Sequence, residues 1–562
     1  MKEIKHLYTK EGKALTGEEY NVYPRPQLVR DSFFSLNGKW QITMSNGQAY
    51  DINVPYPPES ILSGVTVDLG KDPEYTYSRS FTLPQDFKKD RVILHFGAVD
   101  QICKVYLNGS YLGENVGGYN HFSFDITDYL QESNKISVQV WDKLSSKELP
   151  YGKQRYRRGG MWYTPVSGIW QSVWLESVPC EYVKALRITT DKSKVKICFS
   201  GVLDGEVTVN FPKDGALTFP VKQGECEFEI ESPRHWSPSD PYLYYFTARF
   251  GQDEIRSYFA LRTLEIKKVG NYPRLCLNGE PYFFHAVLDQ GYFSDGIYTP
   301  ATPETYRQDI LKMKELGFNT LRKHIKVEPD IFYYECDRLG MVVFQDLVNN
   351  GTYSFIRDTA IPTVLTKRFP EWLMLRSKKE KNAFIEGAKR TVNQLFNHPC
   401  VCYWTIFNEG WGQFDSDKMY ELLQKLDTTR FIDSTSGWFK KKKSDVLSLH
   451  VYFKEVKMPK SQRPIVLSEF GGYSYKVKGH CANDKKTYGY KLYDNKDEFQ
   501  NGLKRLYLDQ VVPSIEKGLC ASVYTQLSDV EDETNGLLTY DRQVCKVDKD
   551  VMLEIAEKLI IK

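Results

Sequence analysis

The sequence contains no apolar run long enough to cross a membrane. A transmembrane helix needs about 18 to 20 consecutive apolar residues, and the 562-residue chain has no such run. Its first residues, MKEIKHLYTKEG, are polar and lack the apolar segment of a secretory signal peptide. We therefore expect a cytoplasmic protein that has no membrane partner.

The chain also lacks a disulfide framework, a zinc-type cysteine pair and an excess of charge. Its 11 cysteines are an odd number and none forms a C-x-x-C pair, which predicts reduced thiols. The formal net charge is only +3, so bulk electrostatics give no reason to expect a nucleic-acid partner. These absences leave a soluble enzyme or a binding protein.

The first half of the chain is rich in sequence patterns that predict β-strands. Asn-Gly turns at Asn37-Gly38 and Asn108-Gly109 separate alternating apolar segments within residues 1–181. A second β block, residues 182–265, contains KVKICFS, EVTVNF and YLYYFTARF. Several short strands in a block of this size predict an immunoglobulin-like sandwich.

Residues 266–562 alternate between strand-like and helical runs. Helical stretches at 302–317, 328–340 and 415–429 separate several strands, although the fifth, sixth and seventh runs show no clear helix between them. Eight alternating strands predict a closed parallel (β/α)8 barrel, also called a TIM barrel. The eight runs are 282–288, 318–324, 341–347, 401–409, 430–437, 446–452, 464–470 and 521–529.

Many of these runs end in polar residues. Active sites of such barrels lie at the carboxyl ends of the strands. Ordinary exits into water explain some of these residues individually but account poorly for the whole set. The polar ends are Arg322-Lys323-His324, Asp346, Asn408-Glu409, Ser434-Thr435-Ser436, His450, Tyr452, Ser468-Glu469, Gln526 and Asp529.

Two carboxylates stand out among these strand ends. Glu409 follows the apolar run VCYWTIF, Glu469 follows IVLS, and glycine lies close after each. Two carboxyl groups facing each other across a barrel mouth suit glycoside hydrolysis, and a spacing of about 5 Å would indicate retention of anomeric configuration. A metal site is the rival interpretation, but no H-x-x-E or H-x-H pair accompanies them.

The order of motifs resembles glycoside hydrolase family 2. N-E-G at the fourth strand end and S-E-F-G-G at the seventh resemble its two signature regions. SGIWQSVWLE (167–176), FALRTLEI (259–266), LNGEPYFFHAVLDQ (277–290) and residues 317–346 resemble other segments of the family. The resemblance implies an N-terminal jelly-roll β-sandwich of sugar-binding type, the immunoglobulin-like sandwich and a catalytic barrel.

The resemblance also implies roles for individual residues. Glu409 would be the general acid/base and Glu469 the nucleophile. Asn408 would bind the sugar 2-hydroxyl, Arg322 would keep the nucleophile ionised, and Tyr452 would orient it. Further candidates for substrate binding are His450, Asp289, Trp438 and Tyr524, the last in place of a tryptophan that often lines the family's sugar site.

Several of these residues have a plain structural alternative. His450 and Trp438 could be core side chains, and Trp411 could border substrate or pack internally. Met161-Trp162-Tyr163 could reach the barrel mouth or serve only in domain packing. The run Lys440–Lys443 is typical of a solvated loop, although its position leaves attraction of an anionic substrate open.

The sugar is the least determined feature of the sequence. Glucuronidases of the family carry an Asn-x-Lys pair near the eighth strand, whereas this chain reads DVEDETNGLLTYDR, with Glu533 in that region. We expect a retaining exo-β-glycosidase of β-galactosidase type, acting on an oligosaccharide or glycoside without cofactor or metal. The alternatives are a β-hexuronidase (glucuronidase or galacturonidase) and an inactive carbohydrate-binding protein. The sequence leaves open whether the protein forms a homo-oligomer.

Overall fold

The N-terminal part of the chain forms a β-sandwich, as expected. The computed structural model describes residues 5, 7–65, 67, 69–211, 215–361, 371–439 and 441–561. One sheet is built from strands Phe33–Ser35, Val173–Val178, Arg91–Phe96 and Phe122–Asp125. The facing sheet is built from Ala49–Val54, Gly38–Met44, Glu74–Phe81, Asn134–Trp141, Ile102–Leu107 and Ser110–Val116. Alternating apolar residues of both sheets fill the space between them.

The second β block is a seven-stranded sandwich of immunoglobulin type. Its apolar residues alternate along each strand and pack into one separate core. One sheet contains Ala185–Asp191, Lys194–Ser200 and Glu225–Glu229, and the other contains Gly215–Val221, Gly205–Phe211, Tyr244–Phe250 and Asp253–Phe259.

The C-terminal part is an eight-stranded parallel barrel, and all eight predicted runs are strands. Their inner and outer faces are both buried, which explains their nearly continuous apolar sequences. The strands are Phe284–Asp289, Thr320–Lys323, Val342–Asp346, Val401–Asn408, Phe431–Ser436, Leu447–Val451, Ile465–Gly471 and Leu519–Thr525, called first to eighth below.

The backbone ladder of the barrel is open at one place. The hydrogen-bonded order is 5-4-3-2-1-8-7-6, so the fifth and sixth strands are its two edges. Side chains bridge this gap: the Ser448 hydroxyl donates to Asp433 Oδ1 at 3.1 Å, and Ser436 pairs with His450 at 3.1 Å. The described residues between the fifth and seventh strands contain no helix, in agreement with the sequence pattern.

Helices surround the barrel and a small sheet precedes it. In the described part of the chain, no helix is both long and apolar enough to span a membrane. The sheet Leu264–Val269, Tyr272–Leu277 and Glu280–Pro281 covers the amino end of the barrel, where Arg274 donates to Leu519 O at 2.9 Å. Among the described residues, the α-helices are Glu304–Glu315, Asp330–Leu339, Lys378–Leu395, Ser416–Leu426, Lys496–Leu506, Val512–Ile515 and Lys549–Ala556.

Candidate active site

The fourth strand delivers Glu409 to the open end of the barrel through a left-handed turn. Glu409 has φ 52°, a conformation that costs a non-glycine residue roughly 1–2 kcal/mol, and its N–H donates to Ser436 O at 2.9 Å. Gly410 follows at φ 71°, where a Cβ would lie 2.4 Å from the Phe439 ring. The turn therefore requires glycine after the carboxylate.

Glu409 and Glu469 face each other across His450. His450 Nδ1 lies 2.9 Å from Glu409 Oε1 and 3.7 Å from Glu469 Oε2. The nearest carboxylate oxygens of the two glutamates are within 4.8 Å of each other. The Glu409 side chain keeps 17% of its surface exposed, whereas Glu469 keeps 6%. The structure thus pairs a more accessible carboxyl group with a more enclosed one.

Arg322 ties four groups of the site together from the end of the second strand. Its side chain is 1% exposed, and Nη1 lies 3.0 Å from Glu469 Oε1 and 2.9 Å from Ser468 O. Nη2 donates to Asn408 Oδ1 at 2.8 Å, and Nε donates to Asp346 Oδ1 at 3.0 Å. Such forked contacts fix Glu469 and Asn408 relative to each other.

The surroundings of Glu469 favour its ionised form. Burial by itself raises the pKa of this carboxyl, but charges on His450 and Arg322 and a hydrogen bond from the Tyr452 hydroxyl outweigh it and hold the pKa at about 2. Tyr452 also lies 3.0 Å from the Thr525 hydroxyl. Glu469 is therefore a carboxylate at any pH near neutrality.

The remaining predicted residues fall into two groups. Trp438 is half-buried and its ring centroid lies 5.6 Å from that of His450, the residue that contacts both carboxylates. Asp289 is engaged elsewhere: its Oδ2 accepts from Lys323 Nζ at 2.5 Å and its Oδ1 accepts from the N–H of Gly291.

Tyr524 does not point into the barrel mouth. Its fully buried ring lies against Phe470 and Tyr507, on the side of the sheet that faces the helices. The structure thus does not bring it together with Glu409 and Glu469. The next residue, Thr525, contacts the site through Tyr452. The alternation of side chains along a strand accounts for this difference of one position.

The sequence analysis marked Asp346 and Ser436 as polar strand ends without giving them a role, and it did not find Tyr490. Asp346 binds both Arg322 and His324, the latter at 2.7 Å, and Ser436 holds His450 Nε2. Both are polar strand ends, so the signal that marked Glu409 also marks them. Tyr490 stacks on Tyr452 with ring centroids 3.8 Å apart, and it comes from a long loop that carries no such signal.

The N-terminal sandwich contributes one wall of the mouth. Trp162 packs edge-on against Trp411 at 5.0 Å between centroids, and the Tyr163 hydroxyl bonds the Glu533 carboxyl. Trp411 is 3% exposed and donates its indole N–H to Gly351 O, so it is a packing residue between domains. The segment Met161–Tyr163 therefore does reach the barrel mouth.

The lysine run after the fifth strand pairs with acidic residues. Lys440 lies outside the described residues. Lys441 Nζ is 3.8 Å from Glu371 Oε1, and Lys443 forms an ion pair with Glu421. These contacts fit a solvated loop and use part of the charge that could attract an anion.

Glu409, His450 and Glu469 also form the kind of donor set that can hold a metal ion. They offer one imidazole nitrogen and two carboxylate oxygens within 4.8 Å. However, the Arg322 guanidinium already lies 3.0 Å from Glu469 and would repel a second cation there. The residues present therefore fit an arginine-held carboxylate better than a metal centre.

The chain is similar in sequence and in fold to known glycosidases. A β-galactosidase of Thermoanaerobacter pseudethanolicus is 27% identical over 63% of this chain and 47% of its own length. One from Aeromonas hydrophila is 26% identical over 82% of this chain and 49% of its own. The chain thus spans about half the length of the curated relatives it matches. The solved β-D-glucuronidase of Dictyoglomus thermophilum, 18% identical, has a TM-score of 0.73 and covers 96% of this chain and 98% of its own, which shows a shared fold.

Three sequence models of one family together match nearly the whole chain. The model described as the sugar binding domain of glycosyl hydrolases family 2 matches residues 25–179. A second model of that family matches residues 183–262, and its TIM barrel domain matches 274–549. These segments coincide with the two sandwiches and the barrel, in the same order. The chain therefore belongs to glycosyl hydrolases family 2.

Proposed function

We propose that this protein is an exo-acting β-glycosidase that retains anomeric configuration. The observation that carries the proposal is the pair Glu409 and Glu469, with carboxylate oxygens within 4.8 Å and one shared histidine. Retaining enzymes place their two carboxyl groups about 5 Å apart, whereas inverting enzymes leave room for a water molecule between them. Both carboxyl groups are in place with Arg322 beside them, which argues against an inactive binding protein.

The first half of the reaction uses the two carboxyl groups in opposite charge states. The ionised Glu469 attacks the anomeric carbon while Glu409 gives its proton to the departing glycosidic oxygen. The carbon–oxygen bond to the aglycone breaks, and an ester forms between the sugar and Glu469. This step needs Glu409 in its protonated form, because a general acid must supply the proton that the departing oxygen receives.

The second half reverses these roles. Formation of the ester removes the charge of Glu469, so Glu409 can now act as a base. It takes a proton from water, whose oxygen attacks the anomeric carbon and releases Glu469 as a carboxylate. Asn408, held by Arg322 at 2.8 Å, would contact the sugar 2-hydroxyl through its amide.

The proposed substrate is a β-galactoside, and a β-hexuronide is the second candidate. Several matched curated relatives are named β-galactosidases, and one is named a putative β-glucuronidase. Solved structures that the chain covers over almost their whole length are named glucuronidases or galacturonidases. The eleven cysteines, all of which lie in the described part of the chain, are free thiols, and this supports placing the protein in the cytoplasm.

A substrate panel followed by product analysis tests this proposal. We expect hydrolysis of an aryl β-galactoside above the matching glucuronide, galacturonide, mannoside and fucoside. Proton NMR during the first minutes should show β-galactose before mutarotation, because two displacements restore the starting configuration. An initial α-anomer would contradict the mechanism, and activity confined to a uronide would contradict the proposed sugar.

Replacing Arg322 tests the ionisation of Glu469. In Arg322→Met, Glu469 and Asp346 lose a buried cation, and breaking a buried pair from one side costs about 3–5 kcal/mol of unfolding free energy. Loss of this cation also raises the pKa of Glu469 from about 2, so the acidic limb of kcat/KM moves to higher pH. Denaturant unfolding and a pH–rate profile measure both effects.

The exposed pair of Arg91 and Asp125 provides a matched control. Their side chains are 46% and 36% exposed, so Arg91→Met should change neither stability nor the pH profile noticeably. Equal behaviour of the two arginine variants would contradict a charge-holding role for Arg322.

A further inference from the structure

A segment of the N-terminal sandwich lies across the catalytic end of the barrel. The N–H of Tyr151 donates to Asn349 O at 3.0 Å, just after the third strand. A Cβ on Gly152 would lie 2.9 Å from Ile325 O, just after the second strand. The Tyr163 hydroxyl bonds Glu533 in the loop after the eighth strand. Residues 151–163 therefore connect three of the loops that form the barrel mouth.

Lys153 of this segment is buried without an anionic partner. Four lysines in the described part of the chain are buried, and three of them, Lys323, Lys326 and Lys546, pair with carboxylates at 2.5–2.9 Å. Lys153, 8% exposed, forms no ion pair with any described residue, and its closest aromatic contact is Trp162 at 5.7 Å from the ring centroid. Because Lys153 Nζ is not one of the fully buried atoms that lack a partner, its ammonium group stays accessible and can donate hydrogen bonds to a ligand.

Glu533 contacts the same segment from the barrel side through Tyr163, whose N–H donates to Lys153 O at 3.0 Å. It is 3% exposed and is held by the Tyr163 hydroxyl. Burial raises the pKa of this carboxyl to about 7, against the opposing effect of the charge on Lys153. The Lys153 charge also depresses the pKa of His324, next to Asp346, beyond the effect of burial. Lys153 is thus close enough to act on both residues, yet it does not form an ion pair with Glu533.

We propose that Lys153 and Glu533 form a donor–acceptor subsite for hydroxyl groups of a neutral glycone. This inference rests on the proposed glycosidase function. A sugar hydroxyl can accept a hydrogen bond from an ammonium group and donate one to a carboxylate at the same time. A group placed between Lys153 and Glu533 would satisfy both, and charge-assisted bonds of this kind are stronger than neutral ones.

The balance of charge at the mouth favours a neutral sugar over a uronate. Arg322 is matched by Asp346 and Glu469. Glu533 offsets the charge of Lys153 once it is ionised, so above about pH 7 these residues leave no surplus positive charge for a sugar carboxylate. A uronate would also lie near the ionised Glu469, whose charge acts on Glu533. Repulsion by both glutamates would have to be overcome before it could bind.

Single and double variants test this subsite. We expect Lys153→Met and Glu533→Gln each to lower kcat/KM for an aryl β-galactoside about 10- to 100-fold, mainly through KM, because each removes a charge-assisted bond. The double variant should lose little more kcat/KM than the more impaired of the two single variants, because the two residues act on the same group. Lys135→Met, an exposed lysine of the same domain, is the control and should leave kcat/KM unchanged.

The pH profile separates binding from a merely structural role. Glu533 accepts a hydrogen bond best when ionised, so kcat/KM on a neutral glycoside should rise as the pH increases through about 7. Glu533→Gln should remove this limb of the profile. Lys153→Met should not lower the melting temperature, because Lys153 forms no ion pair that the substitution would break.

Three outcomes would overturn the inference. The first is a kcat/KM of Lys153→Met within twofold of the wild type. The second is a limb near pH 7 that persists in Glu533→Gln. The third is a wild type that prefers a uronide and loses that activity selectively in Lys153→Met, which would assign Lys153 to a carboxylate. A wild type inactive on every glycoside tested would instead contradict the proposed function.

Discussion

Glu469→Ala should lower kcat for an aryl β-galactoside by roughly four orders of magnitude or more, because it removes the proposed nucleophile. The loss should be equally severe for reactive and unreactive aryl groups, since no covalent intermediate can form from either. The remaining groups, Arg322 and Asp346, still pair at 3.0 Å, so the variant should fold. Steady-state kinetics and circular dichroism check both expectations.

Added azide distinguishes this role from a general loss of activity. The deleted side chain leaves space next to the anomeric carbon, and azide can attack there in a single displacement. The product should therefore be an α-galactosyl azide, of inverted configuration. Glu516→Ala, an exposed glutamate in the same domain, is the control and should behave as the wild type. Full activity of Glu469→Ala, or a β-azide from it, would contradict the assignment.

Glu409→Ala should show a different pattern, which depends on the leaving group. General acid catalysis contributes about 10²- to 10⁴-fold, and this contribution is lost for aglycones that need protonation. Dinitrophenyl glycosides leave without a proton, so their first step should continue while the second step becomes slow. A burst of dinitrophenol followed by slow turnover is the expected record in a stopped-flow experiment.

Azide again reports on the role of the residue. In Glu409→Ala the glycosyl-enzyme still forms on Glu469, and azide needs no base to attack it. The product should be a β-galactosyl azide, of retained configuration, opposite to that from Glu469→Ala. The same product from both variants would mean that the two glutamates do not divide the reaction as proposed.

The barrel and its two carboxylates could be predicted from the sequence because their signals are local. Each strand is an apolar run buried on both faces. A polar residue at its carboxyl end is therefore a candidate for the active site, which lies at that end of the barrel. Glu409, Glu469, Arg322 and Tyr452 all carry this signal, and the structure brings their side chains within hydrogen-bonding or ion-pair range of the shared site. Asp346 carries it too, although only its contacts with Arg322 show why it matters.

Other parts of the site could not be predicted because they depend on how distant segments pack. Tyr524 differs from Thr525 by one strand position, and only the three-dimensional register tells which side chain approaches Tyr452. Lys153 lies in a loop of a different domain, more than 300 residues before Glu469. Nothing in its immediate neighbours shows that the loop docks on Asn349 and Glu533.

This docking limits how the chain can be divided or recombined. A barrel excised alone would expose the face of Trp411 that now packs on Trp162, and it would leave Asn349 without its partner from Tyr151. A chimera carrying the sandwich of a distant relative would replace the wall of the pocket together with the sandwich. Divergence in the N-terminal domain can therefore change the chemistry at the barrel mouth while every residue of the barrel stays the same.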